Sequence, residues 1–386
     1  MIYLNNSATS HPKPKVVIDA VTAFLNAPSH HSPRTGLEID SEYITTTARQ
    51  KLAKLFNTEN YNQIIFTSGS TESLNLAING IGLKKGSHVV ATVIEHNSVI
   101  RPLKHLERDE GIEVDFVDCD EFTYVHPEKI EEAIKSNTKA IVVNHSSNVT
   151  GSISDIAEIA RIAHRHGALI IVDASQSAGN IPIDVTGWDI DLLSFTGHKS
   201  LYGLQGTGGL YIKKGLNVKP LKVGGTGVKG ESLVQPTDMP LYYEAGTPNM
   251  PGIVSLDAGV TYILEKGIDN IRKRKSDIVK TIIGELIEFP EVEVFTKGER
   301  NSYVNFCFNI KGMLPEEVGY VLESSYDITV RTGIHCAPLI LKPLGVYPWG
   351  TVRASPSYFT TDNEVDIFIE AIKQTVKTFV RKEKEK

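Results

Sequence analysis

The chain has 386 residues, more than one typical domain holds, with 41% hydrophobic and 22% charged residues, the composition of an ordinary soluble globular protein. Its formal net charge of -6 excludes a dominant phosphate-backbone footprint, so no nucleic-acid partner is expected, and the basic run Arg272-Lys273-Arg274-Lys275 reads as a short solvated helix face. Three cysteines without a CxxC pair form neither a disulfide framework nor a zinc site, and no apolar run is long enough to cross a membrane, so a cytoplasmic protein without metal or membrane partner is expected.

Helical periodicity runs over 14–26, 42–56, 127–135 and 154–166, interleaved with apolar strands near Ile64, Val89, Ile141, Ile170 and Leu192. This alternation predicts βαβ units and a mostly parallel sheet. Beyond Gly252 a long helical stretch covers 254–288, and shorter strands and helices follow around 292–308 and 315–325. The expected division is a large domain over 14–252, and a smaller one made of 1–13 and 253–386. The last residues, 381–386, read as a frayed, charged helix end.

The chemistry-bearing residues fall at the predicted strand ends. Phe66-Thr67-Ser68-Gly69-Ser70-Thr71-Glu72 runs from a strand into a helix, so Ser70 and Thr71 serve either as an N-cap or as part of a phosphate-binding turn. It lacks the Walker spacing, which argues against a nucleoside triphosphate. His96, in Val93-Ile94-Glu95-His96-Asn97-Ser98, is either a hydrogen-bonded structural histidine or a ring that stacks on a planar ligand. Leu169-Ile170-Ile171-Val172-Asp173 is a continuous apolar run ending in an acid, at the sheet edge where open α/β folds bind ligands. Taken alone Asp173 is a helix cap or a carboxylate for a ring nitrogen, and Gln176 follows one turn later. Lys199 leaves the apolar strand Leu192-Leu193-Ser194-Phe195 beside Thr196, Gly197 and His198, an unusual place for a solvated lysine and a suitable one for a lysine that forms a Schiff base.

A phosphate turn, a stacking histidine, a ring-nitrogen carboxylate and a lysine, in that order along the chain, resemble the class V, fold type I enzymes that depend on pyridoxal 5'-phosphate. Within that class the chain is similar to the cysteine desulfurases and selenocysteine lyases. The resemblance extends from Tyr3-Leu4-Asn5-Asn6-Ser7-Ala8-Thr9 to Arg353-Ala354-Ser355. It implies an α/β fold, with a mostly parallel seven-stranded sheet between helices and a smaller α+β carboxyl-terminal domain. It also implies that Ser70, Thr71, His96, Asn148, Asp173, Gln176, Thr196, His198 and Lys199 hold the cofactor, and that Asn148 and Arg353 bind the substrate carboxylate region. Thr247 corresponds to a threonine that reaches the phosphate of a neighbouring subunit, which implies a homodimer.

The choice of sulfur chemistry rests on Arg331-Thr332-Gly333-Ile334-His335-Cys336-Ala337-Pro338, which is similar to the segment carrying the nucleophilic cysteine in short-loop desulfurases. Only a thiolate attacks, and Arg331 and His335 are the nearby sources of positive charge. Cys119 and Cys307, in apolar strand patterns, read as packed residues. The resemblance implies that Lys199, His96 and Cys336 convert L-cysteine to alanine, with a persulfide on Cys336 passed to a protein acceptor. Selenocysteine lyase activity, a β-lyase or aminotransferase that does not use Cys336, and a non-catalytic cofactor-bound scaffold are the alternatives. Two departures stand out: Ile334-His335 where the commonest pattern has two histidines, and Asn5-Asn6-Ser7 where many relatives have Asp-Asn-Ala.

Overall fold

The computed structural model describes residues 1–26 and 38–381, so the charged end expected over 381–386 lies almost wholly outside the described residues. In chain order the elements are β1 (Ile2–Tyr3), α1 (Lys15–Asn26), α2 (Glu38–Leu55), β2 (Ile64–Thr67), α3 (Ser70–Gly80), β3 (His88–Thr92), α4 (Asn97–Asp109), β4 (Glu113–Val117), α5 (Pro127–Glu132), β5 (Thr138–Asn144), α6 (Ile156–Arg165), β6 (Leu169–Asp173), β7 (Leu192–Thr196) and β8 (Gly208–Ile212). Then come α7 (Met250–Lys266), α8 (Ile268–Leu286), β9 (Val292–Val294), β10 (Phe306–Ile310), α9 (Pro315–Tyr326), β11 (Ile328–Thr329), β12 (Arg331–Gly333), β13 (Thr351–Ala354) and α10 (Asp362–Thr375).

The α/β architecture is the expected one. A seven-stranded sheet has the order β2-β8-β7-β6-β5-β3-β4, parallel throughout except for β8, which runs against both its neighbours. Strands β3, β7 and β8 are buried at every position, because helices cover both faces. Strand β8 escapes periodicity because it opens with Gly208-Gly209, and glycines weaken any strand signal. Those glycines are required by packing: a Cβ on Gly208 would lie 2.6 Å from the Cα of Gly69, in the turn that enters α3.

The long helical stretch expected over 254–288 is two helices. Gly267, at φ +79°, caps α7 and starts α8, a backbone conformation that an L side chain rarely adopts. Leu256, Val260, Ile263 and Ile271 join the core cluster of the large sheet, whereas Ile278, Val279, Ile282 and Leu286 join a second cluster built on β9, β10 and β13. Strands β12, β13, β10 and β9 form the second sheet, and β1 pairs with β11.

Candidate functional site

A cavity of about 460 Å³ opens at the carboxyl ends of the central parallel strands. Its wall includes Ser70, Thr71, His96, Asn148, Asp173, Gln176, Thr196, His198, Lys199 and Arg353, ten of the residues singled out from sequence. Nine of them follow the ends of large-sheet strands: β2 feeds Ser70 and Thr71, β3 leads to His96, β5 to Asn148, β6 to Asp173 and Gln176, and β7 to Thr196, His198 and Lys199, whereas Arg353 comes from within β13 of the second sheet. This edge of an open sheet is the usual location of a ligand site.

At one end of the cavity, α3 begins behind Gly69, which offers no side-chain cap, so the first-turn amides are not capped from within. The adjoining hydroxyls form a cluster. Ser70 Oγ lies 2.6 Å from Ser194 Oγ and 2.7 Å from Ser175 Oγ, which ties α3 to the ends of β6 and β7. His198 Nδ1 is buried with no hydrogen-bond partner among the described residues, and enclosure lowers the ring's pKa to about 4, with Lys199 adding to the effect.

Asp173 divides its two oxygens. Oδ1 accepts from the Ser175 N–H at 2.9 Å and from Ser175 Oγ at 2.5 Å, while Oδ2 makes no hydrogen bond among the described residues. Of the two readings of Asp173 the helix cap falls away, since residues after β6 form turns and no helix begins there. His96 likewise has a structural and an open side. Its Nδ1 accepts from the Ser98 N–H at 3.0 Å as the N-cap of α4, so the neutral ring carries its proton on Nε2. Burial, then Lys199, lowers its pKa to about 4, and it is neutral at pH 7.

Lys199 lines the cavity, and its Nζ makes no hydrogen bond among the described residues. Enclosure lowers its pKa to about 8, opposed by Asp173, so the nucleophilic free amine becomes available at much lower pH than for a solvated lysine.

Arg353 is the largest fully buried side chain, at 1% exposure. Its Nη1 donates to Asn148 O at 2.8 Å and its Nη2 to Asn5 Oδ1 at 3.2 Å, while its buried Nε has no partner among the described residues. Arg331, which sequence reasoning treated only as a neighbour of the cysteine, also lines the cavity and lies directly opposite Arg353 in the antiparallel β12–β13 pairing. Like charges facing across a ladder are destabilising. Among the described residues no carboxylate lies within ion-pair distance of either arginine, and burial followed by Arg331 lowers the Arg353 pKa to about 9. Two arginines opposite one another with no acid beside them are chemically suited to a ligand carboxylate.

Cys336 sits just beyond that wall. It is half-buried, at φ +58° next to His335 at φ +54°, and its Sγ accepts a hydrogen bond from Arg331 Nη2 at 3.1 Å. Two consecutive left-handed non-glycine residues are strained, and the loop is held by Asn148 Nδ2 donating to His335 O and the Asn97 N–H donating to Cys336 O, both at 2.8 Å. Of the two expected sources of positive charge only Arg331 serves. His335 is buried, holds Thr351 through Nε2 at 3.0 Å, and is pushed well below the ordinary histidine pKa first by burial, so it is neutral. Cys307 is buried in β10, as expected, whereas Cys119 lies just past the end of β4 and is half-buried; burial pushes both thiols up to about 12. Thr247 is exposed and does not reach this cavity. Glu95 was passed over beside His96, yet it is fully buried, and burial raises its pKa to about 8.

Comparison with known proteins agrees with this geometry. The aminotransferase class-V family model matches residues 2–368. A probable cysteine desulfurase of Methanothermobacter thermautotrophicus is 34% identical over 97% of this chain and 94% of its own length, and one of Pyrococcus abyssi is 34% identical over 98% and 95%. Among solved structures, an apo cysteine desulfurase of Thermococcus onnurineus superposes with a TM-score of 0.90 at 32% identity, covering 97% of this chain and 94% of that one. An Escherichia coli cysteine desulfurase superposes with a TM-score of 0.88 at 28% identity, covering 98% and 95%. With its sheet, its strand-end site and a family match that spans nearly its whole length, the chain belongs to the aminotransferase class-V family.

Proposed function

We propose that the protein is a pyridoxal phosphate-dependent cysteine desulfurase, which converts L-cysteine to L-alanine and leaves the sulfur as a persulfide on Cys336. One observation carries the reading: Arg331 faces Arg353 across the cavity wall that Lys199 shares, and the same Arg331 donates a hydrogen bond to the Cys336 sulfur. A carboxylate site, an amine and a thiol are thereby joined in one place.

The residues present fit pyridoxal phosphate. The uncapped start of α3, with Ser70, Thr71, Thr196 and the unpartnered His198 Nδ1, suits a phosphate at a helix N-terminus. The free Oδ2 of Asp173 suits a protonated ring nitrogen, His96 suits the ring face, Gln176 the ring hydroxyl, and the unbonded Lys199 amine suits the aldehyde. When bound, this cofactor withdraws electrons from the substrate and makes its Cα proton removable.

Arg353 and Asn148 fix the substrate carboxylate, which orients Cα toward Lys199. Lys199, neutral at a pH where an ordinary lysine is charged, accepts the Cα proton at Nζ and returns a proton to the product. The Cys336 thiolate, held by Arg331, attacks the substrate sulfur: an S–S bond forms, the substrate C–S bond breaks, and the carbon fragment takes up a proton to leave as alanine. The persulfide then passes to a protein acceptor able to reach the half-buried cysteine.

We place the remaining expectations in the same proposal. The enzyme acts as a cytoplasmic homodimer, in which Thr247, exposed here, completes the phosphate site of a second copy. Among the described residues no helix is long and apolar enough to cross a membrane. The large part comprises 14–252 together with the stretch of α7 whose Leu256, Val260 and Ile263 pack in its core, and the small part the amino-terminal residues and the rest of the chain.

The test supplies L-cysteine and, in parallel, L-selenocysteine with a reductant, and measures alanine and sulfide or selenide for the wild type and for Cys336→Ser. Alanine and sulfide from L-cysteine, abolished in Cys336→Ser, are expected. Equal sulfide release by both proteins, with pyruvate in place of alanine, would identify a β-lyase. Selenide release that survives Cys336→Ser would identify a selenocysteine lyase, and no turnover despite bound cofactor a scaffold.

A further inference from the structure

The basic run Arg272-Lys273-Arg274-Lys275 is not uniformly a solvated face. Lys275 is 5% exposed and lies on the buried stripe of α8 with Ile271, Ile278, Val279, Ile282 and Leu286. Spacing alone places it there, since 271, 275, 278, 282 and 286 recur on one helix face. Among the described residues no carboxylate lies within ion-pair distance of it, and its single hydrogen bond is from Nζ to Asn180 Oδ1, at 2.9 Å. A buried ammonium without a counter-charge is costly, and a methionine would fill the same space without that cost. The lysine therefore calls for a reason beyond packing.

The reason lies one residue further on. Asn180, 2% exposed, donates from Nδ2 to the carbonyl of Gln176 at 2.8 Å, and its own N–H donates to Ser177 O at 2.8 Å. Gln176 lines the cavity and donates from Nε2 to Ser7 O at 3.0 Å. The turn from Asp173 to Asn180 is closed by the N–H groups of Ser177 and Ala178 on Ala174 O, so its parts move together. On its far side it presses against the residue that follows Lys199: a Cβ on Gly179, at φ +82°, would lie 2.4 Å from Ser200 O. The turn carrying Asp173 and Gln176 is thus gripped between α8 and the Lys199 segment, and among the described residues Lys275 supplies the polar contact on the α8 side through Asn180.

We propose that Lys275 is a positioning residue, which acts through Asn180 to set the Asp173–Gln176 turn against Lys199 and so tunes how firmly the pyridoxal phosphate ring is held. The proposal rests on the reading of the cavity as a pyridoxal phosphate site. Arg353 is fixed independently, by Asn148 and Asn5, so substrate carboxylate binding is not coupled to this contact.

The experiment titrates pyridoxal phosphate into apo full-length protein, by its visible absorption, for the wild type, Lys275→Met, Lys275→Gln, Asn180→Ala and Lys275→Met with Asn180→Ala. Melting temperatures, and kcat and KM for L-cysteine, are measured alongside. Lys275→Met is expected to weaken cofactor binding about fivefold, the scale of one net hydrogen bond, and to lower kcat while KM for L-cysteine stays unchanged. Lys275→Gln, which keeps an N–H donor, recovers most of the loss, and the double variant is no weaker than the worse single one, as coupled partners require. Unchanged cofactor affinity with only a lower melting temperature, or additive losses in the double variant, would overturn it. If Lys275→Met does not fold, Asn180→Ala decides from the other side of the bond. A wild type that binds no pyridoxal phosphate sinks the site reading and this inference together, whereas wild-type binding matched by every variant sinks this inference alone.

Discussion

Arg353 is held by a backbone carbonyl and an asparagine in place of an acid, which keeps its charge for a ligand. Its planar fork binds a carboxylate through two parallel bonds, a geometry that an ammonium does not reproduce. Arg353→Lys is therefore expected to raise KM for L-cysteine by about tenfold to a hundredfold, the range of a lost charge-assisted hydrogen bond of about 1.5–3 kcal/mol, with unchanged pyridoxal phosphate affinity. Steady-state kinetics beside a cofactor titration check this, and an unaltered KM would remove Arg353 from substrate binding. Lys199, Asp173 and the Ser70-Thr71 turn were legible in the sequence because each terminates an apolar run and so announces a sheet edge. Arg331 was legible as a charge beside Cys336 but not as the neighbour of Arg353, because that comes from register: residues twenty-two apart in the chain face each other only once β12 and β13 pair. His335 was misjudged for the same reason, since adjacency along the chain did not reveal that its ring is buried against Thr351.

At the scale of elements, turns are what hold the site together, and turns are least visible to periodicity. Gly179 and Gly82 both have positive φ, +82° and +76°, but only Gly179 is closely packed, against Ser200 and Leu201; nothing lies within 4 Å of a Cβ on Gly82. Gly82→Ala should cost only the backbone strain, about 1 kcal/mol. Gly179→Ala adds a backbone clash and must displace the Lys199 segment, so a loss of stability of several kcal/mol and of cofactor binding is expected. Urea unfolding of both variants tests this, and equal costs would show that the contact with Ser200 yields easily. The strands of the large sheet were legible where apolar residues run on, as in β5, β6 and β7. Strand β8 was missed because it starts with two glycines, and the break at Gly267 because the helical pattern continues across it. Lys275 was misread because the charge of the run outweighed its place on the apolar stripe of α8, a signal the spacing did contain.

For the molecule as a whole, burial has drawn many ionisable groups away from their ordinary behaviour in one direction. His96, His145 and His198 are lowered to about 4 by burial, and burial likewise holds His335 well below its ordinary value, so between pH 4 and 6.5 the unfolded chain binds protons that the native chain refuses. Stability therefore falls as pH drops through that window. Glu95, raised to about 8, works oppositely above pH 4.5, but it is one group against four. Lys199 and Lys13, at about 8, and Lys275, at about 7, extend the rise of stability above pH 7, until above about pH 8.5 the thiols of Cys119 and Cys307, raised to about 12, oppose it. Urea unfolding of apo protein at pH 4.5, 6.5 and 8.5 should give midpoints that increase across the first interval. Glu95→Gln should steepen that increase, and Lys275→Met should flatten the second interval. A flat acid profile would mean that these histidines protonate without unfolding.

The facing arginines of β12 and β13 have a practical corollary for anyone handling the enzyme. A folded chain that holds two like charges in register gains stability from any small anion that settles between them, because such an anion binds the native state and not the unfolded one. On the proposed role of Arg353, the same anion would occupy the seat of the substrate carboxylate. Sulfate is thus expected to act as preservative and competitive inhibitor at once, raising the melting temperature of the apo protein and the KM for L-cysteine over the same concentration range, with kcat unchanged. In Arg353→Lys both responses should shrink together, and their separation would show that the two arginines do not share one anion.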